Sequence, residues 1–575
     1  MRLPLRMHLR KRLRVPNLLA TARGRLIAFF CLYMTEGIPL GFAATAIATQ
    51  LRRQDVGPAE IGAFVGSFYL PWAFKWAFGP FIDVFVSERW GRRRAWIIGT
   101  QIMLIATLLS CMFLELPAQL GLLTSVLLIH NTFGAMQDVA IDALAVSTLK
   151  EEERGLANGV MFAGAAIGMA LGGSGVLFLI PLIGLKGGFL FVCGCIALVT
   201  VFVAWPLQEP PTPAAERRGA GLLAAGREMR RFSVEAFRSF VGTRGAFAAM
   251  AFALLPAGAM GLGLALQSNL AVEVGMNDAS VAWLSLWTQV ISAACMVAGG
   301  YLSDRWGRRK TLFVYTALMS LPVLYLMGVL IDHQWIMPNG LNGEAKRVAP
   351  VAVVTAVWVA TLAYAVGQGL MYGTRTAIFM DVTNPKVAAT QFTAYMAMMN
   401  VAIAYSATWQ GISIEALGYP KTLLVDAITG LFCLVLLPLI VPSRRPAGDG
   451  GGAARARGLA LLLAAGNVAW LVYRHGGTGL ETSAAAPIFS TLFTLVFVAS
   501  AVFLAAGSAV LGDSARMLGR AGLVLAPLLL LMYARSAWPQ LGEFYTVVPV
   551  AAAWVLLAQA GLGWGVLRVK DGSQS

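Results

Sequence analysis

Gly300-Tyr-Leu-Ser-Asp304-Arg305-Trp-Gly307-Arg308-Arg309-Lys310 has an earlier echo in Gly79-Pro-Phe-Ile-Asp83 followed by Gly91-Arg92-Arg93-Arg94. The echo carries five extra residues between its Asp and its second Gly. Each copy closes an apolar run of about twenty residues, the length that crosses a hydrocarbon layer as a helix. A repeated acid-and-arginine loop between such runs predicts a transporter built from two similar halves.

The rest of the chain agrees with that expectation. Hydrophobic residues make up 58% of it and charged residues 13%, against about 25% charged in an ordinary soluble domain. A single soluble core is excluded. Runs long enough to span are expected near 26–50, 59–82, 95–114, 119–147, 155–180, 187–205, 245–271, 279–302, 311–331, 350–379, 388–414 and 421–441. Four more follow near 457–473, 486–511, 519–534 and 547–567. The predicted organisation is a basic N-terminus (1–25), a six-helix half (26–205), a linker (206–243), a second six-helix half (244–441), a Gly-rich tether (442–456), additional spans (457–567) and a short tail (568–575). The expected fold class is an all-α polytopic membrane protein.

The net charge of +16 would suit nucleic acid were it not for where the charges fall. With the N-terminus placed in the cytoplasm, only Arg52, Arg53, Lys186, Lys346, Arg347, Lys421, Arg474 and Arg535 fall outside, and Lys75 and Arg375 fall within spans. The remaining basic residues are all cytoplasmic, which is the positive-inside bias. The charge therefore reads as topology, with both termini on the cytoplasmic side and no nucleic-acid partner. Residues 1–25 read as a charge anchor for the first span. The six cysteines lie in predicted spans without disulfide or zinc spacing. No phosphate loop and no nucleophile elbow occurs, so neither an ATP-driven pump nor an enzyme is expected, and no cofactor.

The charges inside the spans carry the chemistry. Span 4 holds Asn131, Gly134, Asp138 and Asp142, and steps of three, four and four residues set them on one helix face. A carboxylate in a spanning helix costs at least ~2.5–3.5 kcal/mol, so such a residue faces protein or water. Two of them one turn apart suit a proton relay. Asp138 lies twelve residues before Lys150, about 18 Å of helix and so near the midplane, with Gln137 beside it. Asp142, about 12 Å in, could instead cap or lock the cytoplasmic end. Glu36 is eleven residues past Arg25, and Arg375 eleven before Lys386, each about 16 Å deep. These depths put Glu36, Asp138 and Arg375 at one level, where the arginine is expected to face one or both acids or an anionic substrate. A buried structural ion pair is the plainer alternative. Lys75, about 12 Å from the cytoplasmic face, pairs with Asp142 or snorkels outward. Gly164, Gly168, Gly172 and Gly173 have the spacing of a close helix crossing.

The duplicated loop resembles the motif that the major facilitator superfamily carries after its second and eighth spans. The resemblance implies that Gly79, Asp83, Gly91, Arg92 and Arg93, and again Gly300, Asp304, Arg305, Gly307, Arg308 and Arg309, gate access by bridging the two halves in one state and releasing in the other. A narrower resemblance covers residues 26 to about 441. Thr35-Glu36-Gly37-Ile38-Pro39-Leu40, Phe74-Lys75-Trp76-Ala77-Phe78-Gly79-Pro80, Gln137-Asp138-Val-Ala-Ile-Asp142, Glu152-Glu153-Arg154-Gly155 and Ala389-Thr390-Gln391-Phe392 are similar to the muropeptide permease (AmpG-like) and acetyl-coenzyme A transporter branch. Glu36 and Arg375 depart from that branch. The resemblance implies a cavity lined by spans 1, 4, 7 and 10, which hold Glu36, Asp138 and Arg375. The expected activity is monomeric, proton-coupled import of an anhydro-muropeptide or related sugar-peptide. Asp138, Asp142 and Glu36 are expected to carry the proton, and Arg375, Glu36, Asp138, Asn131 and Gln137 the substrate. A siderophore or acetyl-coenzyme A importer is the nearest alternative, and a non-transporting membrane sensor the alternative from another class.

Overall fold

A computed structural model of the chain describes residues 17–75, 78–79, 82, 85, 87, 90–149, 154–209, 227, 238–339, 347–383, 388–441, 451–477, 479–480, 486–507 and 544–571. Among these, every regular element is a helix. Asp83, most of the linker and the expected span near 519–534 lie outside the described residues.

The first half opens with α1 (Ala22–Arg53), started by the Thr21 side chain accepting from the Gly24 N–H. It continues with α2 (Pro58–Ala73), α3 (Arg94–Cys111), α4 (Leu120–Thr148), α5 (Arg154–Ala170) and α6 (Val176–Val199). A wide-turned stretch, Leu171–Gly175, joins α5 to α6. The chain reverses inside α6 at Gly184, whose φ of 66° and ψ of 177° no helix accommodates. The face at which α1 starts is called proximal below, and the face at which it ends distal.

The second half contains one departure from the expected pattern. The run predicted as a continuous span over 245–271 is two helices, α7 (Arg244–Leu254) and α8 (Ala265–Glu273). The cause is local. Pro256 disfavours a helical residue before it, and Leu255 is extended at φ −98° and ψ 148°. Gly258 then takes φ +80°. There follow α9 (Asp278–Trp306), α10 (Arg308–Asp332), α11 (Val351–Val382), α12 (Ala388–Leu417) and α13 (Tyr419–Thr429), the last extended by a tighter turn over Phe432–Leu439. The added region contributes α14 (Gly452–His475), α15 (Ala486–Gly507) and α16 (Phe544–Asp571). Eight helices among the described residues are long and apolar enough to cross a membrane. α2, α4 and α12 stand where further spans were expected.

Glycine sets how closely the helices cross. A Cβ on Gly164, Gly168 or Gly172 would collide with the carbonyl of Phe30, Met34 or Ile38 on α1. The expected small-residue crossing is therefore the α1–α5 seam. A second seam joins the halves. A Cβ on Gly62 or Gly66 of α2 would lie 2.6 or 2.7 Å from the carbonyls of Ala407 and Ala404 on α12. Such approaches let dispersion between backbones hold helices together where lipid removes any hydrophobic drive. The added helices form their own apolar cluster around Trp470, Phe497, Phe503 and Leu556. They grip the second half where it begins: Arg455 on α14 donates from Nε to the Val241 carbonyl (2.7 Å) and from Nη2 to that of Gly242 (3.1 Å), directly before α7.

Candidate functional site

Two sets of polar side chains lie inside the bundle, one in each half. In the first half Lys75, just past the end of α2, donates from Nζ to Asp138 Oδ2 at 2.8 Å. The pair is shielded, with side chains 12% and 4% exposed. The partner of Lys75 is thus Asp138 and not Asp142, one turn closer to the proximal face. Distance along each helix gives depth but neither tilt nor rotation, and those decide which carboxylate the ammonium meets. Asp142 instead accepts a hydrogen bond from the Tyr33 hydroxyl on α1. Glu36 lies within electrostatic reach of Asp138, Asp142 and Lys75, and its buried Oε1 has no hydrogen-bond partner among the described residues. The cluster therefore gathers the carboxyl groups of Glu36, Asp138 and Asp142 around the single ammonium of Lys75.

A neutral network backs this cluster. Gln137, fully buried, donates from Nε2 to Thr35 Oγ1 at 2.8 Å. Gln101 donates to the same oxygen at 3.3 Å and accepts from Thr200 Oγ1 at 2.8 Å. Gln137 thus points toward α1 from inside the protein. Asn131 is buried two turns above Asp138 on the same helix. His130 is buried and bonded through Nδ1 to Thr107 at 2.9 Å, a packed residue held away from the acids. Thr35 and Tyr33 were missed as site residues, although both sit within three positions of Glu36.

In the second half Arg375 does not face the acids. Its Nη2 donates to the carbonyls of Phe252 (3.2 Å), Ala253 (3.3 Å) and Leu255 (3.1 Å), and its guanidinium lies 5.2 Å from the Phe252 ring centre. The Tyr405 hydroxyl donates to the Leu254 carbonyl at 2.8 Å. The expectation that Arg375 pairs with Glu36 or Asp138 is replaced by this contact with the end of α7. The physical reason is the helix break, which exposes carbonyls that a continuous helix would have satisfied itself. Tyr372 lies within electrostatic reach of both Arg375 and Lys75, so it stands between the two sets.

The gating residues fall at the proximal ends. The backbone N–H of Arg93 donates to both carboxylate oxygens of Glu209 (2.8 and 3.0 Å), and Arg93 Nη1 donates to the Ile82 carbonyl at 3.0 Å. Gly91 takes φ +90° and Gly307 φ +89°, the turns that let each loop reverse into the next helix. Arg308 pairs with Asp381 at 2.6 Å, and Arg305 lies over the Tyr301 ring. The Arg308 and Arg305 contacts stay within the second half, and those of Arg93 with the first half and the start of the linker. Gly79, Arg92, Gly300 and Arg309 are also described, whereas the side chain of Asp304 lies outside the described residues.

The distal face holds pairs that the sequence did not bring together. Arg52 donates from Nη2 to Glu273 Oε1 at 2.5 Å and from Nε at 3.0 Å. Glu273 also accepts from the Tyr419 hydroxyl (2.7 Å) and the Asn339 N–H (3.2 Å). Arg53 pairs with Asp278 at 2.6 Å, and Gln50 donates to the same carboxylate at 3.3 Å. All of these bonds except that from Tyr419 and that from Asn339 cross from the first half to the second.

This architecture has known counterparts. The family model of the Major Facilitator Superfamily matches residues 25–265 and 248–569, which together take in nearly the whole chain. The chain belongs to the Major Facilitator Superfamily. It is therefore a multi-pass membrane protein, and its relatives are transporters. The anhydromuropeptide permease of Escherichia coli (strain K12) is 23% identical over 412 residues, covering 70% of this chain and 77% of the permease. A solved POT family transporter in complex with 5-aminolevulinic acid superposes with a TM-score of 0.54 at 11% identity, over 73% of this chain and 96% of its own. A D-xylose-proton symporter gives 0.54 at 10% identity, over 74% and 98%. At these identities the two structures speak for the superfamily fold alone.

Proposed function

We propose that the chain is a proton-coupled importer of an anhydromuropeptide or a related sugar-peptide, working by alternating access in a bacterial inner membrane as a monomer. The proximal face is then cytoplasmic, as the distribution of Lys and Arg asks. The observation that carries the reading is the Lys75–Asp138 pair with Asp142 and Glu36 beside it. One ammonium cannot balance the carboxylates of all three acids. In a low-dielectric interior the excess negative charge is costly, and binding a proton lowers it. A cargo that displaces Lys75 from Asp138 changes that balance, which couples proton and cargo through differential binding. Asn131, Asp138 and Glu36 are the proposed cargo-facing groups of the first half, with Gln137 supporting them from behind through Thr35 and Arg375 as the proposed cargo group of the second half. The name of the Escherichia coli relative supports the choice of cargo.

The test is uptake into proteoliposomes with and without an imposed pH gradient. Asp138→Asn is expected to abolish uphill accumulation while keeping exchange down a gradient, because a neutral amide cannot carry the proton. The same change strips Lys75 of its charged partner, so Lys75→Met/Asp138→Asn serves as the folded control. Uphill accumulation equal to wild type in either variant would remove Asp138 from coupling.

A further inference from the structure

The gap between α7 and α8 is clasped from both sides by side chains of other helices. On its amide side, Asp426 of α13 accepts from the N–H groups of Met260 (3.2 Å) and Gly261 (2.8 Å) and from Gln410 Nε2 (2.7 Å). The Gly258 N–H donates to the Gly430 carbonyl at 2.9 Å. Asp426 thus takes three directed donors at the turn that leads into α8. On the carbonyl side, Arg375 and Tyr405 take the four consecutive carbonyls of Phe252 to Leu255 between them. A cation at the end of a helix is favoured by the backbone dipoles.

The two clasps differ in one respect. Asp426 is held by three directed donors, one of them a side-chain amide. Arg375 spends a single nitrogen, Nη2, on three long bonds of 3.1–3.3 Å. Its Nε is buried with no partner among the described residues, and the residue is only 2% exposed. Among the described residues it has no carboxylate partner. A guanidinium keeps its charge at any physiological pH, and its planar fork matches a carboxylate or phosphate at two points. Neutral carbonyls sharing one nitrogen are a poor substitute for that geometry.

We propose that Arg375 is an anion-recognition residue whose resting partner is the end of α7. A carboxylate or phosphate of the cargo draws the guanidinium onto itself, and the carbonyls of Phe252, Ala253 and Leu255 lose their cap. Tyr405 holds only the Leu254 carbonyl. The short α7, pinned at its other end by Arg455, is then free to change its angle to α8, while the turn before α8 stays fixed to Asp426. Cargo binding thereby unlocks α7. This inference rests on the transport reading above and adds how the second half senses its cargo.

The experiment uses the full chain in lipid nanodiscs and amide hydrogen exchange over residues 244–258. Three probes are applied: an anhydromuropeptide with free stem-peptide carboxylates, the same molecule with those carboxylates amidated, and inorganic phosphate at high concentration. In wild type the free acid and phosphate are each expected to speed exchange around Phe252–Leu255, while the amidated form binds about tenfold more weakly and does not. Arg375→Gln is expected to exchange fast at the outset and to respond to no probe. Arg375→Lys keeps the charge needed for folding but loses the fork, and is expected to bind the free acid about tenfold more weakly. Tyr405→Phe should keep the response. Equal affinity of wild type for acid and amide, or unchanged free-acid affinity in Arg375→Lys, would overturn the inference. So would phosphate that leaves exchange unaltered. If neither peptide binds while phosphate speeds exchange in wild type and not in Arg375→Gln, the muropeptide reading fails and the anion site stands.

Discussion

The distal and proximal faces use the same chemistry to opposite effect. At the distal face Arg52 and Arg53 of the first half bond Glu273 and Asp278 of the second. At the proximal face Arg93 binds Glu209 at the start of the linker through its backbone, and Arg308 binds Asp381 within the second half, so neither described pair joins the two halves. The glycine seam between α2 and α12 follows the same division, since Gly62 and Gly66 lie on the distal side of α2. Ion pairs and close backbone packing therefore hold the halves together distally, while the described proximal pairs only tidy each half. The arrangement is that of a carrier closed at the distal face. The difference teaches that an ion pair biases the access equilibrium only when its partners lie on bodies that separate. Burial then sets how strongly it does so.

The largest effect is expected at Arg52. Its pair with Glu273 is buried, with side chains 4% and 0% exposed. Removing one partner of such a pair leaves an unpaired buried charge, at a cost of ~3–5 kcal/mol. Arg52→Ala should open the distal face, read as labelling of a cysteine introduced in the distal loop by a membrane-impermeant reagent. The exchanged pair Arg52→Glu/Glu273→Arg should restore closure in part. If Arg52→Ala leaves the distal face as protected as in wild type, the comparison between the faces loses its strongest member. In that case the glycine seam alone closes the carrier.

Much of this was legible in the sequence, and what was not has identifiable causes. The duplicated loop announced two halves. The three-four-four spacing on α4 placed Asp138 and Asp142 on one face, and the glycine spacing on α5 marked a close crossing that the structure assigns to α1. These are periodic signals within one helix. The pairing of Lys75 with Asp138 was not legible, because it depends on how α2 and α4 rotate against each other. Arg52 read only as an external charge, since its partner Glu273 is more than two hundred residues away. Arg375 was given carboxylates as partners, whereas the structure bonds it to the carbonyls at the end of α7. Pro256 and the nearby glycines were the available sign that its partner would be a helix end, because a proline deep in an apolar run frees carbonyls that something must satisfy.

A smaller effect is expected at Arg53. Its pair with Asp278 also crosses between halves, but the side chains are 31% and 22% exposed. Water and salt screen such a pair, and its contribution falls to ~0.2–1 kcal/mol. Arg53→Ala should therefore raise distal labelling only slightly, and the increase should shrink as ionic strength rises. An effect as large as that of Arg52→Ala would mean that the distal pairs act as one network and not according to burial.

The smallest effect on the access equilibrium belongs to Arg308. Its bond to Asp381 is as short as that of Arg53, 2.6 Å, yet both partners lie in the second half and are 33% and 40% exposed. Exposure limits the pair to a few tenths of a kcal/mol in stability. Its placement limits the pair further, because both partners sit on helices of the second half and the pair does not itself tie the two halves together. Arg308→Ala should leave distal labelling within error of wild type and shift the melting temperature by no more than about a degree. Transport rate is the separate readout. The resemblance of its loop to the superfamily motif implies a gating role for Arg308, and we propose that it meets the first half when the proximal face closes. A variant with unchanged distal labelling but slowed turnover would place its contribution in that other state. Distal labelling that rises in Arg308→Ala would instead show the two faces to be coupled through α10 and α11, and the division of labour between them would have to be given up.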